Sequence, residues 1–142
     1  MTRKLGDADY QRLLDVRDGL RRFLHWSEQQ AAASGLTPAQ HQLLLAIRGH
    51  RSPDAPTIGD VAGHLLLRHH SAVGLVDRTV AAGLVERVAD PVDHRVVRLR
   101  LTPSGQRHLA SLAALHVEEL DRLNVRGAPP WAGLDAEAEP GG

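Results

Sequence analysis

Between residues 57 and 84 the apolar positions recur every three to four residues, which is the period of an α-helix. The stripe of the first block consists of Ile58, Val61, Ala62 and Leu65. The stripe of the second block consists of Ala72, Val73, Val76, Val80 and Leu84. Thr57 and Asp60 open the first block with the spacing of a capping box, and Gly83 is suited to end the second. We therefore predict two short helices joined by a tight turn.

Beyond Gly83 the helical period ends, and the later part of this region alternates as is typical of a half-buried strand. Residues 84–88 are followed by a polar tip at 90–95 and by a return segment. In that return segment the apolar residues Val97, Leu99 and Leu101 alternate with Arg98 and Arg100. The pattern predicts a two-stranded hairpin with one face on the core and an arginine face in solvent.

Helices are also predicted on both sides of this region. The apolar spacing favours a first helix from Asp9 to about Ser34, which Gly35 ends. Residues 37–40, Thr-Pro-Ala-Gln, open a second helix that runs to about Arg48. Residues 102 and 103, Thr-Pro, open a last long helix that ends near residue 127, and its apolar seam contains one histidine, His116. A further helix of one or two turns is predicted in the tail from Trp131, Leu134 and Ala138.

Six short motifs then occur in the order and with the spacing that the MarR (multiple antibiotic resistance regulator) family shows. They are Leu36–Gln40, Thr57–Ala62, Leu75–Arg78, Gly83–Arg87, Asp90–Arg95 and Leu101–Gly105. The chain therefore resembles this family over residues 36–105. The resemblance implies a mainly α fold, a winged helix-turn-helix with a two-stranded β-hairpin wing, flanked by N- and C-terminal dimerisation helices. It divides a single domain into a first helix (1–35), a DNA-binding region (36–102) and a last helix with a short tail (103–142).

The resemblance also implies a function. MarR-type proteins are sequence-specific regulators, here expected to be a repressor that binds pseudo-palindromic operators in double-stranded DNA as a homodimer. The apolar stripes of the terminal helices support a dimer, because a winged helix of about 70 residues cannot cover them. A winged helix that binds protein instead of DNA remains an alternative, since a fold does not fix a function.

The expected DNA contacts lie on the second helix of the motif and on the wing. The major-groove residues are Arg68, His69, His70, Ser71, Gly74 and Arg78. At the wing tip, Arg95 is the expected minor-groove probe beside His94, and Asp90 and Asp93 are expected to support it. The alternatives are a solvated polar helix face and an ion pair that only stabilises the turn.

Ligand release by a small aromatic or phenolic effector is implied by analogy with relatives that carry a pocket beside the dimerisation helices. The expected lining residues are Arg22, Phe23, Trp26, His41 and Leu44. In the alternative interpretation, Phe23 and Trp26 only fill the dimer core.

Composition changes this interpretation little. The 142 residues carry a net charge of zero, so any case for DNA depends on where the arginines point. Cysteine is absent, which excludes a thiol redox switch, and no enzyme motif is recognisable. The nine histidines form no HxxxH or HxH pair. We therefore expect neither a cofactor nor a metal, although a metal-responsive regulator stays open. No apolar run predicts a membrane span or signal peptide, so a cytoplasmic protein is expected.

Overall fold

The computed structural model of the chain describes residues 2–123 and residue 125. Five helices and one hairpin follow each other as α1 (Asp7–Ala33), α2 (Pro38–Gly49), α3 (Ile58–Leu65), α4 (His69–Ala81), β1 (Val85–Ala89), β2 (Val97–Leu101) and α5 (Pro103–Arg122). The predicted mainly helical winged helix-turn-helix is confirmed. The predicted tail helix at Trp131, Leu134 and Ala138 lies outside the described residues. No helix in the described part is both long and apolar enough to cross a bilayer.

Side-chain caps fix the starts of α2 and α3 where the sequence placed them. The Thr37 hydroxyl accepts the Gln40 amide at 3.1 Å, and the Gln40 side chain accepts the Thr37 amide at 3.1 Å. Thr57 and Asp60 exchange the same two bonds at the start of α3. The first helix starts at Asp7, two residues before the predicted start, with Gly6 as its N-cap. The bounds of the helices therefore follow mainly from local hydrogen bonds.

The core lies where α2, α3, α4, β2 and α5 meet. Its fully buried large side chains are Leu43, Leu44, Leu99, Leu112, Val61, Val76, Val85 and Thr79. The predicted inner face of α4 was partly wrong, because Leu75 and Thr79 are buried while Val73 and Val80 are only half-buried. Thr79 can lie inside because its hydroxyl donates to the Leu75 carbonyl at 2.7 Å.

The hairpin that forms the wing is antiparallel, with Arg87 opposite Leu99 and Ala89 opposite Val97. The outer edge of β2 also touches the segment before α3, where the Leu99 amide donates to the Pro56 carbonyl at 2.8 Å. The predicted arginine face was wrong at one position. Arg100 is exposed, but Arg98 is half-buried and held by the loop before α3.

Helix α1 has two different halves. From Tyr10 to Arg17 every residue is exposed, whereas the C-terminal half packs on α2 and α5 and ends in the buried Ala31. Gly35 then takes a left-handed φ of 78°, which allows the Schellman-type stop that the sequence predicted. A single copy of the chain thus leaves half of its longest helix uncovered.

Candidate nucleic-acid interface and ligand cavity

The start of α4 presents polar side chains to solvent. Arg68 is the N-cap, and His69, His70 and Ser71 form the first turn, all four of them exposed. The first amides of a helix have no partner within the helix and carry partial positive charge. This end of α4 can therefore bind acceptor groups with its backbone and with its side chains.

One turn further along the same helix, Gly74 and Arg78 form a pair. A Cβ built at Gly74 would lie 3.3 Å from Nη1 of Arg78, so the guanidinium folds back over the glycine. Asp77, the neighbour of Arg78, forms an ion pair with Arg87 on β1. The charge of Asp77 is thus largely balanced by the wing, and the exposed Arg78 supplies positive charge beside Gly74.

The wing tip holds its arginine in a fixed orientation. The Arg95 side chain is 91% exposed and donates from Nε and Nη2 to both oxygens of Asp93, at 3.0 and 3.1 Å. The Arg95 amide also donates to Asp93, at 3.1 Å. These bonds from Arg95 hold the pKa of the Asp93 carboxyl below its usual value and raise the pKa of Arg95. His94 is exposed beside them.

Asp90 makes no direct bond to Arg95, but it fixes the loop of the wing tip and joins that loop to Arg98 on β2. Its carboxylate accepts the Asp93 amide at 2.9 Å, the Val92 amide at 2.8 Å and Nε of Arg98 at 2.6 Å. The amide of Asp93 and the guanidinium of Arg98 are the main causes that lower the pKa of Asp90 to about 2. Arg98 also donates to the Ala55 carbonyl at 2.7 Å. Arg98 therefore joins the wing to the loop before α3. The alternating pattern of β2 did not predict this role, because it placed Arg98 on the solvent face.

A cavity of about 560 Å³ lies between α1, α2 and α5. It is lined by Phe23, Leu24, Ser27, Glu28, Pro38, His41, Gln42, Leu45, Leu109, Ala113, His116, Val117 and Leu120. Of the five residues expected here, Phe23 and His41 line the cavity. Arg22 is exposed outside it, Leu44 is fully buried in the core, and Trp26 lies behind His116 with the ring centroids 4.9 Å apart.

His116 is the cavity residue that the sequence did not single out, although it was visible as a histidine in an apolar seam. Its Nδ1 donates to the Leu112 carbonyl at 2.7 Å, and its Nε2 lies 2.7 Å from the Ser27 hydroxyl. Because a carbonyl only accepts, the neutral ring carries its proton on Nδ1 and accepts from Ser27. His116 thereby ties α5 to α1 at the cavity wall.

His41 lies opposite, on α2, with its ring centroid 4.9 Å from that of His116. His41 is only 7% exposed, and burial and the neighbouring His116 lower the pKa of its imidazole. Among the described residues no side-chain hydrogen bond of His41 is formed. A neutral imidazole with free hydrogen-bonding capacity therefore borders the cavity.

In the described part of the chain, no group of three or more His, Cys, Asp or Glu side chains is placed to hold a metal ion.

Residues 34–96 match the model of the MarR family. This segment runs from the end of α1 through the tip of the wing and contains the whole helix-turn-helix. Over this segment, which is less than half of the chain, the winged helix is similar to the MarR family.

Similar proteins agree with this assignment. The chain is 41% identical over 64 residues to the uncharacterised HTH-type transcriptional regulator YsmB of Bacillus subtilis, a match that covers 45% of this chain and 44% of that protein. The chain thus spans less than half the length of that relative.

Two solved structures match nearly the whole chain. A mutant of MepR from S. aureus, bound to an oligodeoxyribonucleotide, superposes with a TM-score of 0.63 at 18% identity, over 95% of this chain and 93% of that one. CouR from Rhodococcus jostii, bound to p-coumaroyl-CoA, gives a TM-score of 0.67 at 24% identity, over 96% and 91%. At these identities the two likenesses show the fold, including the terminal helices around it.

Proposed function

We propose that this MarR-family chain is a sequence-specific transcriptional regulator, a repressor that binds pseudo-palindromic duplex DNA as a homodimer. The observation that carries the proposal is the placement of exposed cationic and polar side chains on the two elements that a winged helix uses for DNA. These are the first turns of α4 and the tip of the wing. The DNA-bound MepR mutant supports the same use of the fold.

Helix α4 serves as the major-groove reader. Its 13 residues span about 20 Å, and its N-terminal turn, where such helices touch base edges, carries His70 and Ser71 on the surface. A serine hydroxyl both donates and accepts, and an imidazole donates to guanine acceptors. Arg78 lies farther along, where a guanidinium reaches phosphate or a guanine edge. Gly74 between them lets the helix backbone approach the DNA closely.

The wing serves as a minor-groove contact. Arg95 is almost fully exposed, and Asp93 holds its guanidinium in one orientation. An arginine is attracted by the negative potential of a narrow minor groove. The carboxylate of Asp93 offsets part of that attraction, so the wing orients the dimer and adds less affinity than a free arginine would.

The dimer follows from the uncovered half of α1. The exposed apolar residues of α1 begin in that half and continue beyond it at helical spacing, and they are Tyr10, Leu13, Leu14, Leu20 and Leu24. Exposed apolar side chains on the last two turns of α5 and after it, Val117, Leu123 and Val125, extend the available surface. A second copy of the chain covers both stripes at once, because a two-fold axis brings the same helices together. Light scattering at micromolar concentration should give twice the mass of the chain.

The test of DNA binding uses fluorescence anisotropy with duplex DNA from the region upstream of the chain's own gene. The parent should bind with log affinity that falls linearly with log salt. Arg78→Ala should weaken binding by roughly ten-fold. Arg107→Ala, which removes an exposed arginine from α5, is the matched control and should bind like the parent. A folded dimer that binds no duplex at low salt would contradict the proposal and favour a protein-binding winged helix.

The cavity supports a second element of the proposal, release from DNA by a small aromatic or phenolic effector. Its volume of about 560 Å³ lies within the range of small-molecule sites, and its walls are mainly apolar. His41 offers an unused hydrogen-bonding group at that wall. The structure of CouR holds p-coumaroyl-CoA, an aromatic ligand with a phenol group.

For the effector to act, it must bind the DNA-incompetent arrangement more tightly than the competent one. A ten-fold preference shifts the equilibrium by about 1.4 kcal/mol per site. Salicylate-type compounds should therefore raise Tm and also release the duplex. His41→Phe should weaken both effects, whereas the exposed His25→Ala on α1 should leave them unchanged. Thermal stabilisation without release would remove the switch, and the absence of both effects would remove this ligand class.

A further inference from the structure

Two histidines contact each other where the C-terminal ends of α2 and α3 come together. Nδ1 of His50, the C-cap of α2, lies 3.1 Å from Nε2 of His64 in the last turn of α3. Their ring planes are nearly perpendicular at 87°, with centroids 5.4 Å apart. Neither residue belongs to the exposed face of α4, to the wing or to the cavity between α1, α2 and α5. The contact joins residues 14 apart in sequence, so local spacing could not reveal it.

Only one proton can lie between these two nitrogens. The pair is therefore either a hydrogen bond between two imidazoles or a place where one cation accepts both lone pairs. Zinc binds histidine nitrogen at about 2.0–2.1 Å, which places two nitrogens of a tetrahedral site roughly 3.3 Å apart. The observed 3.1 Å differs from that value by an amount that a small rotation of each ring supplies.

We propose that Nδ1 of His50 and Nε2 of His64 form a chelating site for a divalent transition-metal ion of the Zn²⁺ or Ni²⁺ type. Imidazole is a ligand of choice for these ions. Because only two protein ligands are present, water fills the other positions and the ion exchanges readily. The site is open for this, since His64 is exposed and the His50 side chain keeps 16% of its surface accessible.

The carboxylate of Asp60 lies near the second ring nitrogen of His50, the one that does not face His64. One of its oxygens lies 3.8 Å from Nε2 of His50, longer than a hydrogen bond but close enough to attract the N–H of that ring. A carboxylate on the far nitrogen of a metal-bound histidine fixes the ring and strengthens the ligand. The amide and hydroxyl of Thr57 keep the pKa of Asp60 below its usual value, so the carboxylate is ionised at neutral pH.

Arg98 also acts on Asp60, but its guanidinium is already engaged by Asp90. A bound ion would link the end of α2 to the end of α3 within the helix-turn-helix. Binding to the folded state alone stabilises that state, so a metal should raise the Tm of the chain.

The test titrates the full-length, metal-free chain with Zn²⁺ at pH 7.5, by calorimetry and by long-range ¹H–¹⁵N NMR of the imidazoles. We expect one saturable site per chain and selective shifts of Nδ1 of His50 and Nε2 of His64. His64→Ala should weaken the site at least ten-fold and abolish the rise in Tm. His25→Ala, which removes an exposed histidine of α1, should change neither.

His50→Ala is a second, independent test, because it removes the other ligand, which lies at the end of a different helix. If both variants lose the site while their far-ultraviolet spectra match the parent, the chelate is established. Absence of saturable binding up to millimolar Zn²⁺ would overturn it and leave a plain hydrogen bond between the rings. Equal binding by the parent and His64→Ala, or shifts confined to other histidines, would overturn it as well.

Discussion

At Gly105 the start of α5 contacts the backbone of Leu84, the residue before β1. The substitution Gly105→Ala tests that contact. A Cβ at this position would lie 2.0 Å from the carbonyl oxygen of Leu84 and 2.9 Å from its carbonyl carbon. Both atoms belong to the backbone, so no change of rotamer makes room. A carbon and a carbonyl oxygen rest about 3.3 Å apart or more, and the two segments must therefore separate by roughly 1 Å.

The cost of that separation can be estimated from the bonds beside it. The Thr102 amide donates to the Leu84 carbonyl at 3.1 Å, and the Thr102 hydroxyl donates to the Gly83 carbonyl at 2.6 Å. Losing both costs about 2 kcal/mol, and overpacking adds about 1–3 kcal/mol. Alanine returns about 1 kcal/mol through its higher helix propensity. The free energy of unfolding should therefore fall by about 2–4 kcal/mol.

Urea denaturation followed by circular dichroism, at one fixed protein concentration, measures this difference. The matched control is Gly63→Ala in α3, where a Cβ meets nothing within 4 Å. That variant should be as stable as the parent or more stable by up to about 1 kcal/mol. If Gly105→Ala unfolds within about 0.5 kcal/mol of the parent, the close approach of α5 to Leu84 does not exist in solution.

Three further predictions concern the DNA face and the wing. Arg95→Ala should weaken operator binding by roughly ten-fold at low salt and leave Tm unchanged; equal anisotropy curves would remove the wing from the interface. Gly74→Ala should stabilise α4 by about 0.5–1 kcal/mol in urea and yet bind DNA more weakly, because its methyl group displaces Arg78. The pKa of Asp90 is lowered from 3.8 to about 2 in the fold, so its contribution to stability is present above pH 4 and is lost as the pH falls from about 4 to 2. Asp90→Asn should flatten that part of a plot of urea midpoint against pH, and an unchanged slope would contradict the assignment.

The sequence predicted those features that depend on neighbouring residues. The capping boxes at Thr37 and Thr57 and the glycine stop at Gly35 each involve groups within a few positions of one another. Their hydrogen bonds join groups within one helical turn, so the local pattern is enough to indicate them. The resemblance to the MarR family supplied the order of the elements, which the structure confirms over the described residues.

The features that the sequence missed depend on contacts between distant segments. Arg98 follows the alternation of a solvent-facing strand position, but Asp90 and the Ala55 carbonyl hold it half-buried. Ser27 and His116 are 89 positions apart, and only the packing of α5 on α1 brings them to 2.7 Å. Periodicity indicates which side of an element is apolar. It does not predict which polar group of another element will bind a given side chain.

Helix α5 runs from the winged helix that we propose binds DNA to the cavity that we propose binds an effector. From Gly105, against the Leu84 backbone, to His116, at the cavity, the helix runs about 16 Å without a break. Because a continuous helix of this length moves as one body, the effector that we propose would tilt the whole segment if it displaced His116 from Ser27. Because Gly105 has no room to approach Leu84, the tilt must pivot at that contact or open it. A tilt that opens the contact would release the turn between α4 and β1, and with it the C-terminal end of the helix that we propose reads DNA.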